Sequence, residues 1–205
     1  MTKFEEISEI AVDNYGIVTS SEATRIGVAL KDMLEWVRNG RLEKAGRGVF
    51  RLSQYPYNEY CHYAEAVALV GEGSWICGES VLAMFNLALV NPLKTYVATT
   101  KRVRRTLPDW IEVVRKTSDE HKDDFNGIPI QNLASVFIEA KRFLMRDRLF
   151  QAINEARGRG LLSLDDDSKL KGEFGSGTQE SPCRRLERIY CGACRCGAAY
   201  ARWRA

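Results

Sequence analysis

Positively charged side chains cluster between residues 31 and 47, where their spacing suits the phosphates of a polyanion. Arg47 stands between two glycines in the segment AGRG, so its guanidinium is expected at the tip of a tight turn. A guanidinium placed there can reach phosphates or enter the minor groove of a duplex. The alternative is a set of solvated surface residues. The candidate DNA contacts in this part of the chain are Ser20, Ser21, Lys31, Arg38, Arg41, Lys44 and Arg47.

Helices and a hairpin must position these side chains, and the sequence predicts them in order. Apolar residues at helical spacing predict a first helix that ends at Gly16, and the capping box of Thr19 and Glu22 starts a short second one. Beyond Gly27, a third apolar stripe predicts a helix that turns Lys31, Glu35 and Arg38 toward solvent. The members of that stripe are Val28, Leu30, Leu34 and Val37.

Two short strands, over 41–44 and 49–52, then predict a hairpin around AGRG. This order of elements is typical of a winged helix-turn-helix, in which the third helix lies in the major groove and the hairpin is the wing. Residues 1–54 are therefore predicted to be a DNA-binding domain. A protein-contact module is the alternative, since such three-helix units also bind proteins.

Residues 58–170 predict a second domain of mixed helices and strands, which makes the whole chain α+β. Helices are expected over 60–70, 79–87, 132–140 and 147–157, and one antiparallel strand pair over 94–100 and 111–115. The segment between the strands carries Lys101, Arg102, Arg104 and Arg105, which are auxiliary DNA-contact candidates. The alternative is a solvated turn that faces the acids at 119, 120, 123 and 124.

Catalytic and metal-binding patterns are weak, and neither a catalytic site, a metal site nor a cofactor is predicted. His62 and His121 are interpreted as structural, and Asp123-Asp124 and the acids at 165–167 as solvated turn residues. Asp109 with the Asp-Ser-Lys triplet at 167–169 resembles a metal-dependent nuclease signature, but the spacing is long. A DNA-targeted nuclease is kept only as a remote alternative.

The cysteines fall into two groups. Cys61 and Cys77 lie in apolar, helix-like contexts and are predicted to be reduced core residues. The other four lie in the Gly/Ser/Arg/Cys-rich segment 172–205, which has no hydrophobic period and is predicted to be a disordered tail. Its C-x7-C-x2-C-x-C spacing could hold zinc, but the segment has little to bury, so an adventitious end is the favoured interpretation.

Bulk composition limits the class of protein. The chain has 205 residues, of which 45% are hydrophobic and 28% are charged, with a net charge of +3. No apolar run approaches the roughly 18 residues of a membrane span. The acidic N-terminus is unlike a signal peptide, so a cytoplasmic location is expected.

Several blocks of the sequence resemble a known family. The run WVRNGRLEKAGRGVFRL, from Trp36 to Leu52, is similar to the end of the winged domain in AbiEi-type antitoxins of abortive-infection systems. The resemblance continues through CGESVLAMFNLAL, TYVATT, KRVRRTLP, GIPIQNLASVFIEA and RLFQAINEARGRGLLS, and covers residues 1 to about 165. The tail departs from the family pattern, which puts the completeness of the second domain in question.

The resemblance implies the antitoxin of a type IV toxin–antitoxin pair. Such proteins bind inverted repeats of double-stranded DNA in their own promoter and repress the operon. They counter a nucleotidyltransferase-like toxin without a stable complex, and they involve no membrane. The family implies no catalytic residues. The alternative is a winged-helix regulator unrelated to any toxin, whose second domain senses a ligand or partner.

Overall fold

The first part of the chain folds as three short helices around a small sheet. A computed structural model of the protein describes residues 2–119 and 122–174. The elements in this part are α1 (Lys3–Asp13), β1 (Ile17–Thr19), α2 (Ser20–Arg25), α3 (Leu30–Arg38), β2 (Leu42–Gly46) and β3 (Val49–Leu52). The three strands are antiparallel in the order β1-β3-β2, and β2 and β3 form the predicted hairpin with Arg47 and Gly48 at its tip.

Local sequence signals define the boundaries of these helices. The predicted capping box is present, because Glu22 accepts a hydrogen bond from the Thr19 backbone N–H at 2.7 Å while Thr19 caps the Glu22 N–H at 3.2 Å. A second capping box, formed by Thr2 and Glu5, starts α1. Gly27 has a φ of +74° in the turn between α2 and α3, a conformation that favours glycine.

The apolar stripe predicted for α3 is partly wrong. Leu30 and Leu34 are 52% and 37% exposed, whereas Met33 is fully buried. The reason is that α3 begins only at Leu30, so Val28 is buried from the segment before the helix and does not share its phase. Trp36 and Val37 pack partly against the core beside Met33.

The second part is built on a larger, mixed sheet of five strands in the order β6-β5-β4-β8-β7. Its helices are α4 (Cys61–Val70), α5 (Glu79–Met84), α6 (Leu133–Ala140), α7 (Arg146–Gly158) and α8 (Leu164–Phe174). Its strands are β4 (Trp75–Ile76), β5 (Thr95–Thr99), β6 (Ile111–Arg115), β7 (Lys122–Phe125) and β8 (Ile128–Gln131). The described residues are thus α+β, as predicted.

The strand pair predicted to be antiparallel is parallel. Thr95 lies opposite Ile111 and Thr99 lies opposite Arg115, so β5 and β6 run in the same direction. Because β5 and β6 run in the same direction, the chain that leaves β5 must return to the end of the sheet at which β5 began before β6 can start. Residues 100–110, termed here the basic connection, make that return, so the prediction of a turn between these two strands is wrong.

Several elements went unpredicted. β1 and β4 are too short to show a periodic pattern of apolar residues. The β7–β8 hairpin does carry a local signal, because its turn is Asn126-Gly127, with φ values of +53° and +84°. The acids at 165–167 lie in the first turn of α8 rather than in a loop. Since α8 extends to Phe174, the tail predicted from 172 begins inside a helix, and its remainder, 175–205, lies outside the described residues.

The hairpin packs against the second part of the molecule. Ile17 and Val49 belong to the large core of the five-stranded sheet, and a Cβ at Gly46 would collide with the Leu69 side chain. Arg51 donates to Glu43 at 2.6 Å and to Glu65 of α4 at 3.4 Å. One face of the hairpin is therefore fixed on α4. Among the described helices, none is both long and apolar enough to span a membrane.

Candidate nucleic-acid interface

An open cleft of about 920 Å³ lies between the hairpin tip and the basic connection. The first part of the chain contributes the start of α2 and the tip of the hairpin, and the second contributes the turn after α4 and the basic connection. The structure thus brings two predicted groups of residues to one site. The predicted residues that line the cleft are Ser20, Ser21, Arg47, Lys101, Arg102, Arg104 and Arg105.

The start of α2 and the hairpin tip are held together by the backbone. The Ser20 N–H donates to the Gly48 carbonyl at 2.8 Å. A Cβ at Gly48 would lie 2.8 Å from the Ser20 Oγ, and its φ is +74°, so both the close approach and the backbone conformation call for glycine. This arrangement places the exposed Arg47 side chain directly beside Ser20 and Ser21 at the mouth of the cleft.

The cations of the basic connection differ in how they are held. Arg105 donates to the Leu69 carbonyl at 3.1 Å and Lys101 donates to the Glu72 carbonyl at 3.2 Å. Both therefore satisfy carbonyls at or just after the C-terminal end of α4, where positive charge is favourable. Arg102 and Arg104 are exposed, and no carboxylate of residues 2–119 or 122–174 lies within ion-pair distance of either.

The cleft has an excess of positive charge, because six of its lining residues are lysines or arginines and only two are acids. Glu22 is held by the capping box, and Glu72 lies 3.6 Å from Arg25. Within the described chain, none of the basic-connection cations pairs with Asp119, Asp123 or Asp124, and Asp119 pairs with Lys122 instead. Over the described residues, no ion pair thus joins the basic connection to these acids, and both interpretations of the connection stay predictions.

The other four predicted cations lie outside the cleft. Lys31 and Arg38 are exposed on α3, Arg41 lies 4.9 Å above the Phe4 ring, and Lys44 is exposed on β2. They extend the positive surface along α3 and the hairpin. Arg25 and the turn Gly71-Glu72-Gly73 also line the cleft, but they were not predicted as site residues. The two glycines that follow an apolar helix are a recognisable turn signal.

The side chains considered as catalytic candidates are held in ion pairs or are buried. Hydrogen bonds from Lys171, at 2.6 Å, and from Arg157 hold the pKa of Asp167 below its usual value. Burial lowers the pKa of His62, which lies against the Tyr63 ring, and burial raises the pKa of the Cys77 thiol to about 12. Both Cys61 and Cys77 are buried and reduced, as predicted.

Metal-ligating side chains are dispersed in the part of the chain that the structure covers. Over residues 2–119 and 122–174, His, Cys, Asp and Glu side chains do not gather in groups of three or more that could hold an ion. His121 and the four cysteines of the segment 172–205 lie outside the described residues.

Comparison with protein families bears on the part of the chain that carries the hairpin. Residues 5–53 match AbiEi_4, described as "Transcriptional regulator, AbiEi antitoxin". The AbiEi match runs from α1 to β3, so the family prediction is confirmed over these residues. It ends at residue 53, and the resemblance of the later blocks stays a prediction.

Two further comparisons concern curated proteins and solved structures. Comparison with curated proteins gives no match. Among solved structures, the chain is similar to the RV2827C protein from Mycobacterium tuberculosis, with a TM-score of 0.40 and 14% sequence identity. The alignment covers 66% of this chain, which spans 58% of the mycobacterial protein.

Proposed function

We propose that the protein is a DNA-binding regulator of the AbiEi antitoxin type, which binds inverted repeats in its own promoter and represses the operon. The observation that carries the proposal is the meeting of Arg47, Arg102 and Arg104 around one open cleft at the tip of the hairpin. That hairpin lies inside the segment that matches a family of transcriptional regulators.

Residues 1–54 act in this proposal as a winged helix-turn-helix domain. The succession of α1, β1, α2, α3, β2 and β3, with β3 in the middle of the sheet, supports this assignment. The solvent face of α3, with Lys31 and Arg38, enters the major groove. Ser20, Ser21 and Arg47 then meet the adjacent phosphates, and Arg41 and Lys44 add positive charge alongside.

The basic connection extends the contact with DNA. Residues 58–170 act as a second domain that presents Arg102 and Arg104 across the cleft from Arg47. Each phosphate neutralised releases condensed counterions, so affinity falls steeply as salt rises. Lys101 and Arg105 support this surface, since their side chains hold the end of α4 against the connection.

The antitoxin role follows from the family match rather than from the cleft. The protein counters a nucleotidyltransferase-like toxin encoded beside it, without a stable complex, and residues 58–170 carry that activity. A repressor that binds its own promoter works in the cytoplasm.

We propose no chemistry for the protein itself, because Asp167, the key acid of the nuclease alternative, is held by Arg157 and Lys171.

A DNA-binding assay with the full chain tests the proposal. We expect binding to its own upstream DNA at least about 10³-fold tighter than to a shuffled duplex at physiological salt. Arg47→Ala and Arg102→Ala with Arg104→Ala should weaken binding to both duplexes. Lys94→Ala is the matched control, since this exposed lysine pairs with Glu112 and does not line the cleft. Equal affinity for the upstream and shuffled duplexes would reject the proposal.

A regulator without a toxin partner is the second candidate. It is favoured by one observation, namely that the family match stops at residue 53 and leaves the proposed antitoxin region uncovered. Co-expression with the nucleotidyltransferase-like gene next to its own discriminates between the two. With the toxin gene expressed from a foreign promoter, rescue of growth by the full chain supports the antitoxin, and growth arrest despite operator binding supports the plain regulator.

A further inference from the structure

Two leucines lie exposed on the helix that is proposed to enter the major groove. Leu30 is 52% exposed and Leu34 is 37% exposed, in a helix whose Met33 is fully buried. Residues four apart are neighbours on a helix surface, so the two side chains form one apolar patch. Arg38 continues the same row, and Lys31 and Glu35 form the row beside it.

The fold does not need this patch. The small core is closed by Met33 and Val28, with Trp36 and Val37 packed partly against it, and neither leucine belongs to it. Single exposed leucines are ordinary, but two neighbouring ones in a segment that matches a family of regulators form a candidate contact surface. The question is what covers it.

The charges around the patch indicate a nucleic acid. The solvent face of α3 carries Lys31 and Arg38 together with one acid, Glu35. The cations Arg41, Lys44 and Arg47 follow in the hairpin, and no carboxylate of the described residues lies within ion-pair distance of these five cations. Cations that flank an apolar pair complement the major groove of DNA, because phosphates line both edges of that groove. The apolar group that the floor of the major groove presents is the C5-methyl group of thymine.

We propose that Leu30 and Leu34 read thymine methyl groups in the operator. This inference rests on the proposed function and deepens it by naming two specificity-determining side chains and the chemical group they recognise. Each half-site then contains thymine at the steps that face the N-terminal half of α3. The cations of α3 and the hairpin fix the register on the phosphates, and the leucines discriminate between bases.

Replacement of thymine by uracil in the operator tests the assignment, because it removes the methyl group and keeps every hydrogen-bonding group of the base. For the full-length protein, we expect affinity to fall about fourfold for each contacted methyl group, from the free energy of burying one such group. The Leu30→Ala/Leu34→Ala variant should bind more weakly and should no longer distinguish the two operators. Alanine favours helix, so α3 is retained, which circular dichroism verifies.

Matched controls separate the leucines from general effects. Leu89 and Leu93, which are 86% and 100% exposed in the loop before β5, are changed to alanine together. That variant should keep the full preference for thymine, and uracil placed only outside the inverted repeat should change nothing. If the leucine-to-alanine variant of α3 keeps the thymine preference, the preference comes from DNA shape and the assignment is overturned.

The remaining outcomes distinguish this inference from the function beneath it. Specific operator binding that is indifferent to uracil overturns the inference and leaves the proposed function standing. Absence of any operator preference overturns both. If sedimentation shows that the two alanines convert a dimer into a monomer while uracil has no effect, the patch is a contact between copies of the chain and the methyl assignment is wrong.

Discussion

The two parts of the molecule treat their positive charges differently. In the five-stranded part, eight of the sixteen described lysines and arginines lie within ion-pair distance of an acid, as in the pairs Lys116–Glu139, Lys141–Glu173 and Arg157–Asp167. On α3 and the hairpin, the cations Lys31, Arg38, Arg41, Lys44 and Arg47 have no such partner within the described chain. The cations of α3 and the hairpin are therefore available for a polyanion, whereas half of those in the second part neutralise its own acids, and the others include Arg102 and Arg104.

Apolar side chains show the reverse distribution. The large core takes in α4 to α8 and one face of the central strands, and it also takes in Ile17 and Val49 of the small sheet. The alternate residues Trp75 and Ala98 of these strands belong to a separate small cluster. The first part thus relies on the second for one face of its hairpin, and it leaves Leu30 and Leu34 of α3 uncovered. The difference suggests that stability resides mainly in the second part and recognition in the first.

The largest expected effect tests this dependence. Phe137 on α6 is fully buried in the large core, so Phe137→Ala should lower the free energy of unfolding by about 3–5 kcal/mol. Because the hairpin packs on that core, hydrogen exchange should accelerate in β1 and β3 as well as in the five-stranded sheet. Urea unfolding and exchange mass spectrometry measure both. Unchanged protection of β1 and β3 would show that the small sheet is stable alone.

The ionic link between the two parts should give a smaller, pH-dependent effect. Burial raises the pKa of Glu65, Arg51 lowers it, and Glu43 raises it. Arg51→Met removes the contribution that lowers the pKa of Glu65. It should reduce the free energy of unfolding by about 1 kcal/mol near neutral pH, since the arginine is partly exposed.

The sign of the pH dependence follows from the charge that Arg51 stabilises. Loss of Arg51 should cost little where Glu65 is protonated. Because burial holds the folded pKa of Glu65 above its unfolded value, the cost should grow as pH rises through that raised pKa. Unfolding free energies of both proteins between pH 4 and pH 8 measure this growth, with Lys94→Met, which breaks an exposed pair, as the control. A cost that is the same at every pH would contradict the coupling.

Two arginines that line the same cleft should separate binding from stability. Arg47 contacts solvent, so Arg47→Ala should reduce the salt slope of operator binding by about 0.9 and leave unfolding unchanged. Arg105 holds the Leu69 carbonyl, so Arg105→Ala should destabilise α4 by about 1 kcal/mol and change the slope less. Binding titrations over a salt series and urea unfolding measure the two quantities. Equal slopes for both variants would remove the distinction between them.

Sequence patterns located the first part of the molecule well, because its signals are local. The capping box at Thr19, the glycine after α2 and the segment AGRG each act over a few residues, and the structure has all three in place. The error at Leu30 and Leu34 arose because periodicity alone does not fix the phase of a nine-residue helix. Leu30 and Leu34 fit the helical spacing of an apolar stripe, but the face of α3 that packs on the core is the one that carries Met33.

The second part was less predictable because its sheet depends on long-range pairing. β4 has two residues, yet it pairs with β5 on one side and with β8 on the other. The parallel pairing of β5 with β6 follows from the path of the basic connection over the sheet, which no local pattern encodes. The convergence of Arg47 with Arg102 and Arg104 is invisible in sequence for the same reason, although both clusters were recognised separately.

The smallest expected effect concerns α8, which the sequence analysis missed. Asp166 accepts hydrogen bonds from Ser163 at 2.7 Å and from Asn132, the N-cap of α6, at 3.3 Å. Desolvation raises the pKa of Asp166, but these hydrogen bonds and the charge of Lys169 outweigh it, so the pKa is lowered. The stabilisation is therefore present above the unfolded pKa of about 3.9 and is lost as pH falls below it.

Hydrogen exchange of α8 between pH 3 and pH 6 measures this loss, once the intrinsic pH dependence of exchange is removed. Asp166→Asn should cost less than about 1 kcal/mol at pH 6 and should flatten the dependence, because a partly exposed carboxylate contributes little. Asp165→Asn is the control, since Asp165 is exposed in the same helical turn. If the two variants lose protection equally, the helix dipole, and not the contact with Asn132, holds α8 at the edge of the large core.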